Sequence, residues 1–257
     1  MNLTGKVAII TGGGKGIGGV ISRRFLKAGA DIAIVARTLE PLELIAAEGK
    51  QQQRNVLVCQ GDASSEEVAA EVVRQAVETF GKIDILVNNT GIEGPNATVA
   101  EVSLEEWRHT FAVNLDAAFL FCKKVVPVMQ KQKAGAIVNI ASLAATKGII
   151  CRSPYCASKW AMLGLSRTLA AEVGPDNIRV NVIIPGMVAG ERADRVIRKR
   201  AKDYGVSFEE MYDITCREAP LRRLVTQDEI ASMALYLASD ESAGITGEEI
   251  MVSCGRR

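Results

Sequence analysis

Short apolar runs alternate with longer amphipathic segments along most of the chain. The runs are rich in β-branched residues and apolar almost throughout, as expected of strands that are covered on both faces. They span residues 7–10, 32–35, 56–59, 83–87, 136–140 and 180–184. Segments with helical spacing lie near residues 17–28, 41–53, 65–80, 103–131 and 154–173. This alternation predicts an α/β fold with a doubly wound parallel sheet and helices on both faces.

The chain is predicted to form a single domain over residues 1–257. Its length suits one α/β domain, and no linker, repeat or low-complexity tract interrupts it. One segment departs from the alternation: residues 191–217 are charged and helical in pattern. We expect this segment, at about 190–217, to form an insertion beside the functional site.

Composition excludes several classes of function. The formal net charge is +1, so no overall field favours nucleic acid or an acidic membrane. The six cysteines have irregular spacing without a C-x-x-C pair, and His109 is the single histidine. A disulfide framework and a Cys/His metal site are therefore not expected. No apolar stretch approaches the ~18 residues of a membrane span, so the expected location is the cytoplasm.

A glycine-rich turn follows the first predicted strand and leads into a helical pattern. Residues 11–19 read T-G-G-G-K-G-I-G-G and fit both G-x-G-x-x-G and T-G-x-x-x-G-x-G. Glycine lets the backbone approach a pyrophosphate, and the helix N-terminus offers free N–H groups and a positive dipole end. The strand–turn–helix context therefore predicts a Rossmann-type dinucleotide site. Its predicted contact residues are Thr11, Gly12, Gly14, Lys15, Gly16, Ile17 and Gly18.

The end of the second predicted strand bears on which dinucleotide binds. An NAD site carries an acidic residue there, which holds the ribose 2′-hydroxyl. This chain has Ala36 followed by Arg37, and a guanidinium suits a 2′-phosphate. Lys15 adds a second cation in the glycine-rich turn. We therefore favour NADP(H), and NAD(H) is the alternative if Arg37 is an ordinary solvated residue.

Tyr155 and Lys159 are spaced as a catalytic pair would be. Four residues apart in a helical segment, they lie on one helix face, one turn from each other. A lysine cation favours the phenolate and lowers the tyrosine pKa from about 10, so that the phenol can exchange a proton near neutrality. Ser142 ends the fifth predicted strand, where doubly wound sheets place ligands. Its hydroxyl can donate to a substrate oxygen, although a turn serine is the ordinary alternative.

These motifs resemble, in order and across nearly the whole chain, those of the short-chain dehydrogenase/reductase family. The other matches are Gly61-Asp62, Asn88-Asn89-Thr90-Gly91 where the family has N-N-A-G, Asn114 and Pro185-Gly186. The general likeness is to 3-oxoacyl-carrier-protein reductases and to the sugar or polyol dehydrogenases grouped near them. The resemblance implies NAD(P)-dependent hydride transfer between a nicotinamide and a small carbonyl or secondary alcohol substrate.

The resemblance also implies a role for each matched residue. Tyr155 would be the acid/base, Lys159 would hold the nicotinamide ribose and lower the tyrosine pKa, and Ser142 would polarise the carbonyl. Asn114 would anchor a water in a proton relay to Lys159; a helix kink is its alternative role, and both can hold. The implied cofactor contacts are Asp62, Ala63, Asn89, Gly91, Tyr155, Lys159, Pro185, Gly186 and Val188.

Two positions depart from the family pattern. Thr90 adds a hydroxyl beside the expected cofactor site. Gly190 stands where the family often has a threonine near the nicotinamide amide, so the backbone of Val188 is a candidate for that contact. A homotetramer or homodimer is implied by the resemblance alone.

The substrate side is less defined by the sequence. Acids lie among the bases of residues 191–217, which favours a solvated helix face over an anion-binding lid. Arg152, close to Tyr155, is a better single candidate for an anionic substrate, and a structural salt bridge is the equal alternative. Leu143 and Met187 are expected to line the substrate pocket because they adjoin matched motifs.

Two other functions are compatible with the fold. A non-enzymatic dinucleotide sensor or scaffold is the main alternative, but such proteins commonly lose a member of the set Ser142, Tyr155 and Lys159. A lyase or dehalogenase on this fold tends to lose the glycine-rich turn, which is complete here. The sequence therefore favours an oxidoreductase.

Overall fold

The computed structural model describes residues 1–257 and contains a single seven-stranded sheet. The strands are β1 (Val7–Thr11), β2 (Asp31–Ala36), β3 (Val56–Gln60), β4 (Ile85–Asn88), β5 (Gly135–Ile140), β6 (Ile178–Pro185) and β7 (Glu249–Val252). All neighbouring strands are parallel, in the order β3-β2-β1-β4-β5-β6-β7. Because the order turns back at β1 and β4, the sheet is doubly wound. The predicted fold class is confirmed.

Nine α-helices connect or flank the strands. They are α1 (Gly16–Lys27), α2 (Glu40–Gln51), α3 (Glu66–Phe80), α4 (Leu104–Phe111), α5 (Ala117–Gln132), α6 (Ser153–Val173), α7 (Glu191–Tyr204), α8 (Phe208–Arg217) and α9 (Gln227–Ala238). Ser103 and Thr226 open α4 and α9 with complete capping boxes, each closed by a glutamate three residues later. None of these helices is long and apolar enough to cross a membrane.

The predicted continuous helix over residues 103–131 was wrong in one respect. A π-helical turn at Ala112–Asp116 separates α4 from α5, and the Ala117 N–H donates to the carbonyl of Ala112, five residues back. The turn contains Asn114, whose fully buried amide is held by neighbouring elements. π-Turns of this kind occur often at functional sites. The structure thus supports the kink interpretation of Asn114.

The charged segment 191–217 folds as the two helices α7 and α8. Gly205, with φ of 67°, ends α7 in a left-handed cap. Ile197, Met211 and Leu224 pack in a small apolar cluster of their own, apart from the clusters on the main sheet. The segment is therefore helical, as predicted, and packs partly on itself.

Two apolar layers cover the two faces of the sheet. Ile10 of β1 packs into the layer formed with α1 and α9, while its neighbour Ile9 packs into the opposite layer with α3 and α5. Successive side chains of a strand point to opposite faces. This explains why the predicted strands are apolar at nearly every position.

Phe25 on α1 tests the first of these layers. Its side chain has 0 % exposure and packs in the layer that contains Ile230 of α9. We expect Phe25→Ala to lower the free energy of unfolding by about 3–5 kcal/mol, through lost burial and the cavity left behind. Leu44→Ala on α2, at a position 56 % exposed, should stay within about 0.5 kcal/mol. Urea unfolding of both variants checks the assignment, and equal losses would contradict it.

Candidate active site

The carboxyl ends of β1 and β4 are tied together by side-chain hydrogen bonds. The buried Thr11 hydroxyl accepts from the N–H groups of Asn89 and Thr90, at 3.0 and 3.1 Å. The Asn89 amide Nδ2 donates to the carbonyls of Thr11 and Gly12, at 3.1 and 3.3 Å. These contacts fix the position where the strand order reverses, which is where open α/β sheets bind ligands.

The glycine-rich turn leaves no room for side chains on its inner side. Gly12 has φ of 65°, and a Cβ on it would lie 2.9 Å from the Asn89 amide nitrogen. A Cβ on Gly18 would lie 2.1 Å from the Gly12 carbonyl oxygen. Helix α1 begins at Gly16 without a side-chain cap, so its first N–H groups remain available to an anion. The turn therefore fits a pyrophosphate group.

Two exposed cations lie at this turn and at the end of β2. Lys15, at the N-cap of α1, and Arg37, directly after β2, are both exposed and form no salt bridge. After β3, the Asp62 carboxylate accepts from the N–H and hydroxyl of Ser64 at 2.9 and 2.7 Å. These bonds, with a smaller contribution from Arg37, hold the pKa of Asp62 below its usual value. Ala63 beside it is buried.

Helix α6 brings Tyr155 and Lys159 to the end of β5. The Lys159 ammonium donates to the Ile140 carbonyl at 2.9 Å, two residues before Ser142. Leu143 in the turn after Ser142 packs with Met162 of α6. The Ser142 hydroxyl accepts from the Ala144 N–H at 3.2 Å, which leaves its own proton free to donate. Tyr155 is half-buried, with its ring one helical turn from Lys159.

Asn114 connects this helix to the strand end after β4. Its Oδ1 accepts from the Ile92 N–H at 2.7 Å, and its Nδ2 donates to the Ile92 carbonyl at 3.1 Å and the Ser158 hydroxyl at 3.0 Å. The Ser158 hydroxyl in turn donates to the Tyr155 carbonyl. A Cβ on Gly91 would lie 3.2 Å from Asn114 Oδ1 and 3.5 Å from Lys159 Nζ. Asn114 therefore positions the segment of α6 that carries the pair.

Burial acts against the positive charge of Lys159. Its side chain is 4 % exposed, and burial, assisted by repulsion from Arg192, lowers the pKa of Lys159 to about 7. Burial therefore favours the neutral amine over the ammonium in the free protein. The ability of Lys159 to lower the tyrosine pKa depends on negative charge brought to it, because such charge favours the protonated lysine.

The chain is similar to known proteins over nearly its whole length. The model of a protein family described as Enoyl-(Acyl carrier protein) reductase matches residues 12–257. D-threitol dehydrogenase of Mycolicibacterium smegmatis is 39 % identical over 256 residues, which cover 98 % of this chain and 93 % of that protein. A 3-oxoacyl-[acyl-carrier-protein] reductase of Thermotoga maritima is 33 % identical over 255 residues, 99 % of each chain. The chain belongs to the short-chain dehydrogenase/reductase family.

Solved structures of this family superimpose over the whole chain. NAD+-bound xylitol dehydrogenase matches with a TM-score of 0.94 and 31 % identity, covering 99 % of this chain and 100 % of that one. L-sorbose reductase of Gluconobacter frateurii, in complex with NADPH and L-sorbose, matches with a TM-score of 0.92 and 33 % identity, covering 99 % and 97 %. The chain is accordingly a nicotinamide-dependent oxidoreductase of carbonyl and alcohol groups.

In this short-chain dehydrogenase/reductase, the segment after β6 presents backbone groups to the site. Gly186 allows close packing, since a Cβ there would lie 2.8 Å from Ser253 Cα. Val188 forms a parallel bridge with Val225, in which the Met187 carbonyl and the Ala189 N–H make the hydrogen bonds. The N–H and carbonyl of Val188 therefore face the other way. This geometry is compatible with the backbone contact predicted for Val188.

The structure also reveals a charged cluster that the sequence did not suggest. Glu93, shortly after Gly91, faces Arg152, Arg192 and Arg195 with N···O distances of 3.7, 3.2 and 3.5 Å. Arg152 thus adopts the salt bridge that was one of its two predicted roles. Arg192 also donates to the Gly91 carbonyl at 2.9 Å. Glu93 lies about 60 to 100 residues from these partners in sequence, so no local pattern could indicate the cluster.

The lowered pKa of Lys159 predicts a pH dependence of stability. An unfolded lysine keeps its proton up to its ordinary pKa of 10.5, whereas native Lys159 loses it above about 7. The unfolded state therefore binds more protons between these values, and stability rises with pH. Between pH 7 and pH 9, cofactor-free wild type should gain about 2 kcal/mol relative to Lys159→Met.

Urea unfolding at pH 7, 8 and 9 measures this difference. Lys50→Met, at an exposed position near the end of α2, is the matched control and should show a constant offset from wild type. A constant offset for Lys159→Met as well would mean that native Lys159 stays charged throughout.

Proposed function

We propose that this protein is an NADP(H)-dependent oxidoreductase that interconverts a small carbonyl compound and its secondary alcohol, with Tyr155 as the general acid/base. One observation carries the proposal. Tyr155 and the buried Lys159 lie one turn apart on α6, and Lys159 Nζ reaches both the end of β5 and the Gly91 segment. These groups meet at the carboxyl edge of the sheet, beside the glycine-rich turn.

In the reductive direction, Tyr155 donates its phenolic proton to the carbonyl oxygen as negative charge develops there. The Ser142 hydroxyl donates a hydrogen bond to the same oxygen and stabilises that charge. When bound, the nicotinamide supplies the hydride or accepts it in the reverse direction. Lys159 would hold the nicotinamide ribose, and its protonated form would stabilise the phenolate of Tyr155. In the oxidative direction, Tyr155 accepts the proton of the alcohol.

Asn114 has a positioning role in this proposal. Both ends of its amide are occupied by Ile92 and Ser158, so the side chain holds α6 against the Gly91 segment. Its participation in a water relay to Lys159 stays a prediction.

The choice of NADP(H) rests on charge at the adenosine end. Lys15 and Arg37 are exposed cations without a carboxylate partner in the protein, and no acidic residue follows β2 directly. A ribose 2′-phosphate supplies the negative charge that both could bind. Structural relatives include NADPH and NAD+ complexes, so the choice between NADP(H) and NAD(H) needs an experiment on this protein.

Other parts of the proposal concern organisation. We propose one domain over residues 1–257, with the 190–217 segment as the substrate loop, Leu143 and Met187 beside it, and the cytoplasm as the location.

A homotetramer or homodimer is supported by large apolar side chains exposed on helices α4 to α6 and on β7. These are Leu104, Phe119, Trp160 and Met251. The sensor or scaffold alternative is not favoured, since the catalytic set is complete.

Tyr155→Phe tests the acid/base assignment. Loss of the phenolic proton should lower kcat by about 10²–10⁴-fold, while the Kd for NADPH changes less than about twofold, because the ring is retained. Tyr236→Phe on α9 is the matched control and should leave both values unchanged. Single-turnover rates and cofactor-fluorescence titration measure the two effects. Full activity in Tyr155→Phe would overturn the assignment.

Charge removal at the adenosine end tests the cofactor preference. Arg37→Ala should raise KM for NADPH about tenfold or more, as expected for a lost charged contact, with little change for NADH. Lys15→Ala should act in the same direction. Lys27→Ala at the other end of α1 controls for the loss of one surface charge. If wild type clearly prefers NADH, the NADP(H) proposal is wrong.

A further inference from the structure

Three arginines from two parts of the chain converge on one carboxylate beside the active site. Arg152 precedes α6, while Arg192 and Arg195 lie one turn apart on α7. All three face Glu93, with the N···O distances given above. Glu191 and Asp194, the acids in the first turn of α7, form no ion pair with them. We call Glu93 and these three arginines the Glu93 cluster.

The Glu93 carboxylate makes only long contacts with the arginines of the Glu93 cluster. Charge-assisted N–H···O bonds measure about 2.7–2.9 Å, and elsewhere in this chain Arg23 and Arg223 make bidentate pairs of 2.6–2.9 Å with glutamates. No contact in the cluster is that short. Glu93 Oε1 is buried without a hydrogen bond. Three guanidiniums facing one carboxylate carry a net charge of +2, and the side chains of Arg192 and Arg195 are more than half exposed, so that some of their N–H groups are accessible to a ligand.

The cluster adjoins the Gly91 segment, which lies next to Lys159. Arg192 donates to the Gly91 carbonyl at 2.9 Å, and a Cβ on Gly91 would lie 3.5 Å from Lys159 Nζ. Arg152 lies three residues before Tyr155, with its Nη1 3.4 Å from the carbonyls of Glu93 and Gly94. The surplus charge therefore lies within reach of a small molecule whose carbonyl contacts Tyr155.

We propose that the Glu93 cluster binds the carboxylate of the substrate, so that the enzyme acts on small oxo acids and the corresponding hydroxy acids. The substrate carboxylate would pair with guanidinium N–H groups that Glu93 does not engage. A planar guanidinium pairs with a carboxylate through two parallel N–H···O bonds. A neutral polyol or sugar would leave the surplus charge unmatched.

This inference rests on the proposed oxidoreductase function and is tested by comparing each acid with its own ester. NADPH-dependent reduction is measured for 2-oxo and 3-oxo carboxylates of four to six carbons and for their methyl esters. Dihydroxyacetone, its phosphate and oxidation of D-threitol are measured alongside. For at least one chain length, we expect kcat/KM for the acid to exceed that for its ester tenfold or more, mainly through KM.

Substitution of the cluster arginines tests whether the cluster causes the preference for the acid over its ester. Arg192→Met and Arg152→Met should each lower the acid-to-ester ratio of kcat/KM about tenfold, and Arg192→Lys should lower it less. Arg74→Met is the matched control, because Arg74 is an exposed arginine on α3 that pairs with Glu71 and Glu78 and lies outside the cluster. It should leave the ratio unchanged. Using a ratio within each variant separates carboxylate binding from general damage to the fold.

The outcomes are distinguishable. Equal turnover of acids and esters, preference for D-threitol, or preference for dihydroxyacetone phosphate over every oxo acid would overturn the carboxylate assignment while leaving the oxidoreductase function intact. An unchanged acid-to-ester ratio in both arginine variants would also overturn it. Turnover of none of these carbonyls or alcohols with NADPH or NADH would instead count against the proposed function itself.

Discussion

The site depends on how the carboxyl ends of β1 and β4 are joined. Thr11 and Asn89 exchange hydrogen bonds there through their side chains and backbone, at the point where the parallel sheet reverses its strand order. Because crossovers from the two strands leave toward opposite faces, a crevice forms at this edge. The glycine-rich turn forms one side of that crevice, and the Gly91 segment forms the other.

Burial changes the acid–base behaviour of Lys159. Lys159 is buried and donates a hydrogen bond to the Ile140 carbonyl, and desolvation lowers its pKa to about 7. A lysine poised at this value responds strongly to charge in its surroundings. Arg192 disfavours the protonated lysine, whereas the negative charge of a bound dinucleotide would favour it. The same crevice can therefore bring proton transfer, cofactor binding and substrate charge under one electrostatic control.

Much of this arrangement could be predicted from the sequence, because it follows from local patterns. Apolar runs mark the strands β1 to β6, and the spacing of Tyr155 and Lys159 places them on one face of a helix. A helix kink was one of the two predicted roles of Asn114, but its π-helical form was not predicted, since one additional residue in a turn hardly disturbs helical periodicity. The Glu93 cluster and the lowered pKa of Lys159 were not predicted either. Both depend on packing between elements that are distant in the chain.

The most direct measurement of the central claim is a crystal structure with NADP+ bound. The account predicts the pyrophosphate on the turn from Gly12 to Gly18, the 2′-phosphate beside Arg37, and the nicotinamide ribose at Lys159 with the ring facing Tyr155. A dinucleotide whose phosphates lie away from the glycine-rich turn, or whose nicotinamide is remote from Tyr155, would contradict it.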